Sequence, residues 1–185
     1  DDGLIYDPLD VATVEGLPDI LVGAVNSHRD VLFPGTDSTE VFYNSGNADF
    51  PFERQGNAFI ERGCIDRDSL VKVDNSVFSV GNDRIVYRLD GYQPVRVSTH
   101  DIETNIAAAT YFRACTYSQE GHTFYIVNTN LGTWALDMST GAWAERKSGG
   151  RDNYRIGSAE VAYGQTILGD NGTGKLYTPS LTVHD

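Results

Sequence analysis

The residues of this 185-residue chain that could carry chemistry fall into a few groups, and in each the spacing decides the reading. The run Gly169-Asp170-Asn171-Gly172-Thr173-Gly174-Lys175 fits the GxxxxGK part of a phosphate loop, where glycine amides wrap an oxyanion and the lysine reaches it. Leu176 then stands where a magnesium-binding Ser or Thr belongs, and a strand pattern follows where a helix N-terminus is required. The run therefore reads as a Gly-rich hairpin turn. His28, His100, His122 and His184 are scattered, and His28 and His122 each precede a strand in a turn. With no Ser or Cys nucleophile in a recognisable elbow, a catalytic triad is unsupported. Carboxylates are plentiful, and two meeting across a cleft could act as acid and base on a glycoside. Yet Asp74, Asp83, Asp90 and Asp170 all stand in turn sequences, where a carboxylate bonding nearby amides accounts for them. Cys64 and Cys115 lie far apart with no CxxC or Cys/His ligand spacing, so no metal site is assigned. They read as buried thiols, with a disulfide left open. No catalytic, cofactor-binding or metal-ligating residue is assigned, and no cofactor is expected.

These residues sit among short alternating apolar runs separated by turn sequences, which is an all-β pattern. In Cys115–Lys147, alternation through Thr123–Asn128 and Thr133–Asp137 is punctuated by Gln119-Glu120-Gly121, Asn130-Leu131-Gly132 and Met138-Ser139-Thr140-Gly141. That is three antiparallel crossings, and the apolar run Ala107–Ala114 in front makes four strands, the size of one propeller blade. Ala135-Leu136-Asp137-Met138-Ser139-Thr140-Gly141-Ala142-Trp143 looks like the turn of quinone-dependent dehydrogenase and kelch-like blades. Its residues explain it as a folding phrase: Asp137 and Ser139 can bond turn amides, Gly141 can take positive φ, and Trp143 can pack between blades.

An apolar–aromatic phrase ending in a turn recurs as Val41–Gly46, Ile85–Gly91, Trp134–Ser139 and Leu176–Ser180, with a weaker copy at Leu4–Leu9. The interval is about 40 to 50 residues, which is the period of propeller blades. The second repeat predicts strands at Ser69–Val73, Ser76–Val80, Arg84–Leu89 and Tyr92–Ser98, with turns at Asp74-Asn75, Gly81-Asn82-Asp83 and Asp90-Gly91. Pro94 suits an outermost strand, whose free edge needs no donor. The first predicts Leu21–Val25, Asp30–Phe33, Ser38–Asn44 and Phe50–Gln55, and the fourth only Ser158–Ala162, Thr166–Leu168 and Lys175–Thr178. Asp101–Ala109 is the one stretch with helical periodicity. The expectation is an all-β propeller of four-stranded antiparallel blades, about four of them or an excerpt of a larger ring. Its repeats span about 1–16 (partial), 20–56, 69–99, 107–148 and 157–185. Either Leu4–Val14 completes the last blade and closes a ring of four, or the chain is cut from a longer ring. Thr182-Val183 resembles the start of a further strand and favours the second.

Fourteen basic against twenty-six acidic residues give a net charge of −12, which argues against wrapping nucleic acid through its phosphates. No apolar run approaches the roughly 18 residues that span a bilayer. The sequon Asn171-Gly172-Thr173 has meaning only in a secreted eukaryotic protein, which nothing else suggests.

The run from Arg84 to Glu103, RIVYRLDGYQPVRVSTHDIE, resembles the packaged-DNA stabilisation proteins of short-tailed bacteriophages, the tail accessory or nozzle family. So do Ser38–Gly46, Phe59-Ile60-Glu61-Arg62-Gly63-Cys64, Cys115–Phe124 and the stretch from Tyr163-Gly164 to Leu176-Tyr177. The likeness touches all four repeats. It departs at Asp30–Gly35, where Pro34 interrupts an expected strand, and in length, since family members are longer. The resemblance implies a structural virion protein of the tail machine, assembled in the host cytoplasm, that closes the portal channel and retains the packaged DNA. Implied partners are copies of itself in a ring, the portal or tail adaptor, the tail needle or spike proteins, and genome DNA without sequence-specific contacts; no membrane is implied. The family has no catalytic residues, so no enzyme is expected. The competing reading is a carbohydrate-binding or glycoside-hydrolase propeller meeting glycans through Tyr92, Tyr111 and Trp134. The sialidase box Ser-x-Asp-x-Gly-x-Thr-Trp is not matched, which weakens hydrolysis.

Overall fold

The computed structural model describes residues 13–182 except Glu15, Leu17 and Asp49. The expected strand Leu4–Val14, the strand start at Thr182-Val183 and His184 lie outside these residues, apart from Thr13, Val14 and Thr182. Among the described residues, fifteen strands form four antiparallel sheets, each a meander in chain order. The first holds β1 (Val25–Ser27), β2 (Asp30–Pro34), β3 (Thr39–Asn44) and β4 (Phe52–Ile60). The second holds β5 (Val71–Val73), β6 (Ser76–Val80), β7 (Val86–Asp90) and β8 (Gln93–Arg96). The third holds β9 (Phe112–Gln119), β10 (His122–Thr129), β11 (Thr133–Asp137) and β12 (Trp143–Glu145). The last has three strands, β13 (Ile156–Ala162), β14 (Gln165–Asp170) and β15 (Leu176–Tyr177), as the turn sequences predict.

The sheets stack face to face, and period-2 alternation assigns each side chain to one neighbour. In the third sheet Phe112, Tyr125, Val127, Trp134 and Leu136 join Phe78, Val80 and Val86 of the second. The intervening positions Cys115, Tyr117, Ile126 and Ala135 join Ile156 and Leu168 of the last. Leu32, Val41 and Ile60 of the first sheet meet Val77 of the second. A sheet buried on both faces by its chain neighbours is a propeller blade. The first strands of successive blades, β1, β5, β9 and β13, also meet in order, which places them innermost. Phe78 and Tyr125, with ring centroids 5.1 Å apart, anchor the central interface, a pairing worth about 0.5–1.5 kcal/mol beyond the area it buries.

In every blade the first two strands are joined by a two-residue turn: His28-Arg29, Asp74-Asn75, Glu120-Gly121 and Tyr163-Gly164. Positive φ at His28, Asp74, Asn75, Glu120 and Tyr163 gives these hairpins the tight twist that matches their strands. All four turns lie at one end of the strands, and the long connectors 61–70, 97–111 and 146–155 lie at the other.

Several strands differ from the sequence expectation for identifiable reasons. Leu21–Val25 is not a continuous strand; Leu21 makes an isolated bridge to Gly35 and the ladder resumes at Val25. Pro34 does not interrupt its strand, ending β2 paired with Thr39; its carbonyl accepts from Val22 N (2.8 Å) and Gly23 N (3.2 Å), and with no N–H it returns no bond to that segment. Ala107–Ala114 is not the opening strand of the third blade. Helix α1 (His100–Ile106) buries Ile102 and Ile106, Ala109 follows into the same core, and the strand starts at Phe112. The fourth strand of that blade is Trp143–Glu145. Phe50–Gln55 is shorter than the observed β4, which runs on to bury Ala58 and Ile60 past an irregularity opposite Glu40/Phe42.

Candidate functional site

The Gly-rich run lies in the β14–β15 turn. Asp170 Oδ1 accepts from Gly172 N (2.7 Å) and Thr173 N (3.1 Å), while Oδ2 accepts from the Thr173 hydroxyl (2.8 Å). Those amides, with Arg155 nearby, hold the Asp170 carboxyl below its ordinary value against the opposing effect of burial. A loop whose amides already point at its own carboxylate does not cradle a phosphate. Gly172 and Thr173 are spent on the turn, as the hairpin reading requires.

The third blade's turn is built the same way. Asp137 Oδ1 accepts from Ser139 N (2.8 Å) and Oδ2 from the Thr140 hydroxyl (3.0 Å), and Gly141 has φ +71°. Trp143 packs against the core shared with the second blade and donates Nε1–H to the Val97 carbonyl (2.8 Å), so it does bridge blades. His122, expected in the turn before a strand, is the first residue of β10, and its Nδ1 lies 2.8 Å from Asp137 Oδ2, a pairing the sequence did not reveal. The register of β10 on β11 pairs Phe124 with Asp137, which makes His122 the diagonal neighbour; the short Asn130-Leu131-Gly132 turn was the available signal. Burial raises the Asp137 carboxyl, but the Ser139 amide, His122 and Thr140 outweigh it and the net shift is downward. His28 lies 3.0 Å from Asn75 Nδ2 at the turn end, and His100 opens α1. These histidines are not brought together. Asp74 has positive φ in its turn and Asp90 closes β7. Asp83 accepts from Arg62 and Tyr87, both at 2.8 Å.

Both cysteines are free and buried, which resolves the open disulfide. Burial pushes the Cys115 thiol up to about 12, so it stays protonated and unreactive. Of the three aromatics that could greet a glycan, Trp134 is buried in the core between the second and third blades. Tyr92 bonds Asp30 at the turn end of β8, whereas Tyr111 lies in the connector at its other end. They form no common platform. Among the described residues, no group of three or more His, Cys, Asp or Glu side chains could hold a metal, and no helix is long and apolar enough to cross a membrane.

What the fold does assemble is a scaffold of polar staples between blades. Tyr154 N donates to the Thr133 hydroxyl (3.0 Å), which donates to Asn128 Oδ1, and Asn128 Nδ2 donates to the Ile156 carbonyl (2.7 Å). Asn128 and Thr133 are both buried, so this chain ties the third blade to the last without water. Tyr125 reaches Ser69 O (3.2 Å), and Phe112 N donates to Asp66 (3.1 Å), tying the third blade to the short helical turn Arg67–Ser69. A groove of about 440 Å³ runs along the inner strands β5, β9 and β13, with Lys72, Tyr117, Glu160 and Thr166 on its walls.

A scan against protein-family models matches residues 1–183 to the family described as Bacteriophage P22 Gp10, beta-propeller. The chain belongs to this phage DNA-stabilisation family. A search of curated proteins finds no match. As a member of the Gp10 family the chain is a β-propeller protein of the phage structural, DNA-stabilising class, and its place is the virion. The all-β fold and the resemblance read from Arg84–Glu103 agree with that membership. Apolar cores and directional bonds together fix the third blade against both of its neighbours.

Proposed function

We propose that this chain is a rigid sector of a tail structure that closes the portal channel and keeps the packaged genome from leaving. The family match over residues 1–183 carries the reading. The role is mechanical: copies pack in a ring against the portal or tail adaptor and the needle or spike proteins, with the DNA passing or stopping at the axis. The repeats 20–56, 69–99, 107–148 and 157–185 act as blades of one propeller, a view supported by cores that run unbroken from each sheet to the next. The net charge of −12 suits this role, because an acidic wall repels the duplex and leaves it free to move once a gate opens.

The test uses packaged phage heads lacking this protein. Adding the full-length protein is expected to make the genome nuclease-resistant, and negative-stain images of portal complexes are expected to show a ring of added density. A protein that stays monomeric, leaves the portal bare and does not slow DNA loss would end the proposal.

A further inference from the structure

The chain has an excess of carboxylates, and Arg54, Arg62, Arg96, Arg113 and Arg155 each have one nearby. Arg146 does not. Its guanidinium lies over the Phe124 ring, 5.2 Å from the centroid, and its Nε is sealed from solvent with no hydrogen-bond partner. The side chain borders a cavity of about 560 Å³ between the 146–155 connector and the chain after β15, and Lys147, Tyr154, Arg155, Tyr177 and Pro179 also line it. Among the described residues, three cations and no carboxylate side chain line that space. Arg155 is compensated from behind by the buried Asp170, 3.6 Å away, and donates to the Tyr177 hydroxyl (3.0 Å). Lys147 meets Glu145 at 3.2 Å, but both are half-exposed, and such surface pairs hold little energy. Arg88 is also half-buried and without an ion pair, yet its smaller cavity of about 170 Å³ includes Asp137. The 146–155 cavity is thus an electropositive recess on a strongly acidic molecule.

We propose that this recess is a socket for a protein carboxylate, an Asp or Glu side chain on an acidic peptide segment of a neighbouring protein. A planar guanidinium braced on an aromatic ring matches a carboxylate through paired N–H donors. The walls of Tyr154, Tyr177 and Pro179 accept the apolar stem of such a side chain. Duplex DNA fits less well, because its phosphates lie on a broad convex surface that the surrounding net charge of −12 repels. The inference rests on the cavity itself and goes beyond the genome-retention reading.

The probe is a fluorescein-labelled hexaglutamate peptide, followed by anisotropy at low salt with the 185-residue chain. It is expected to bind, to weaken as salt rises, and to lose about tenfold in affinity with Arg146→Gln and about threefold with Lys147→Gln. Arg29→Gln makes the same charge change at the opposite end of the strands and is expected to shift affinity by less than about twofold. Absence of peptide binding, equal weakening by Arg29→Gln, or tighter binding of a short DNA duplex competing for the same residues would overturn the proposal. Displacement by an equal concentration of inorganic phosphate would do so too, since it means general oxyanion adsorption. If near-ultraviolet circular dichroism shows that Arg146→Gln loses the native packing, Lys147→Gln decides: an unchanged affinity rejects the socket.

Discussion

Asn128 offers the sharpest test of how the blades are joined. Replacing it with Ala removes the acceptor of the Thr133 hydroxyl and the donor to the Ile156 carbonyl, both buried. A hydrogen bond contributes about 1 kcal/mol net, and stranding a buried polar group costs about 1–3 kcal/mol. Two buried groups stranded, at that cost each, predict a destabilisation of about 2–6 kcal/mol. For a domain of this size that lowers the melting temperature by roughly 4–24 °C. Thr133→Val breaks the same chain one link earlier and strands Tyr154 N–H. The two changes share one network, so the double variant is expected to lose at least about 1 kcal/mol less than the sum of the singles. Urea unfolding followed by circular dichroism measures all three. Additivity within about 0.5 kcal/mol, or a loss below about 1 kcal/mol for Asn128→Ala, would refute a cooperative staple.

At Gly63 a Cβ would stand 2.2 Å from the Thr36 carbonyl oxygen, backbone against backbone, so Gly63→Ala is expected to cost about 1–3 kcal/mol in the same unfolding assay. Tyr163 is fully exposed at φ +54° in the β13–β14 turn, so Tyr163→Asn relieves an unfavourable conformation without losing packing. It is expected to stabilise the chain by about 0.5–1 kcal/mol, read as a higher denaturation midpoint. Asp170 has a folded pKa below its unfolded value, so its stabilising contribution is complete above the ordinary carboxylate range and is lost as pH falls through the lowered folded value. Melting temperatures followed into acid are expected to drop there, and Asp170→Asn is expected to flatten that part of the profile.

The fold was legible where local chemistry dictates it. Ser76–Val80 occurs with the bounds its alternation gives, and Asp74-Asn75 turns where Asx residues tolerate positive φ. Ala107–Ala114 misled because alanines satisfy both a helix and a strand reading, and only packing of Ile102, Ile106 and Ala109 into a shared core decides between them. The pairing of His122 with Asp137 and the Asn128 chain were hidden for another reason. They depend on strand register and on the next blade, and neither appears in a window of neighbouring residues. Trp134 shows the converse: an aromatic that composition offers to a ligand is claimed by the core.

The unequal ends of the strands have a practical consequence. Each two-residue hairpin has no slack, so a residue spliced beside Asn75 must unzip β5 from β6 before it can be housed. The connector 146–155 contains Gly149 and Gly150 in the open, and a surface loop lengthens at small entropic cost. Growth at that end adds a decoration without rewriting the sheet beneath it, and within 146–155 it also covers the Arg146 recess.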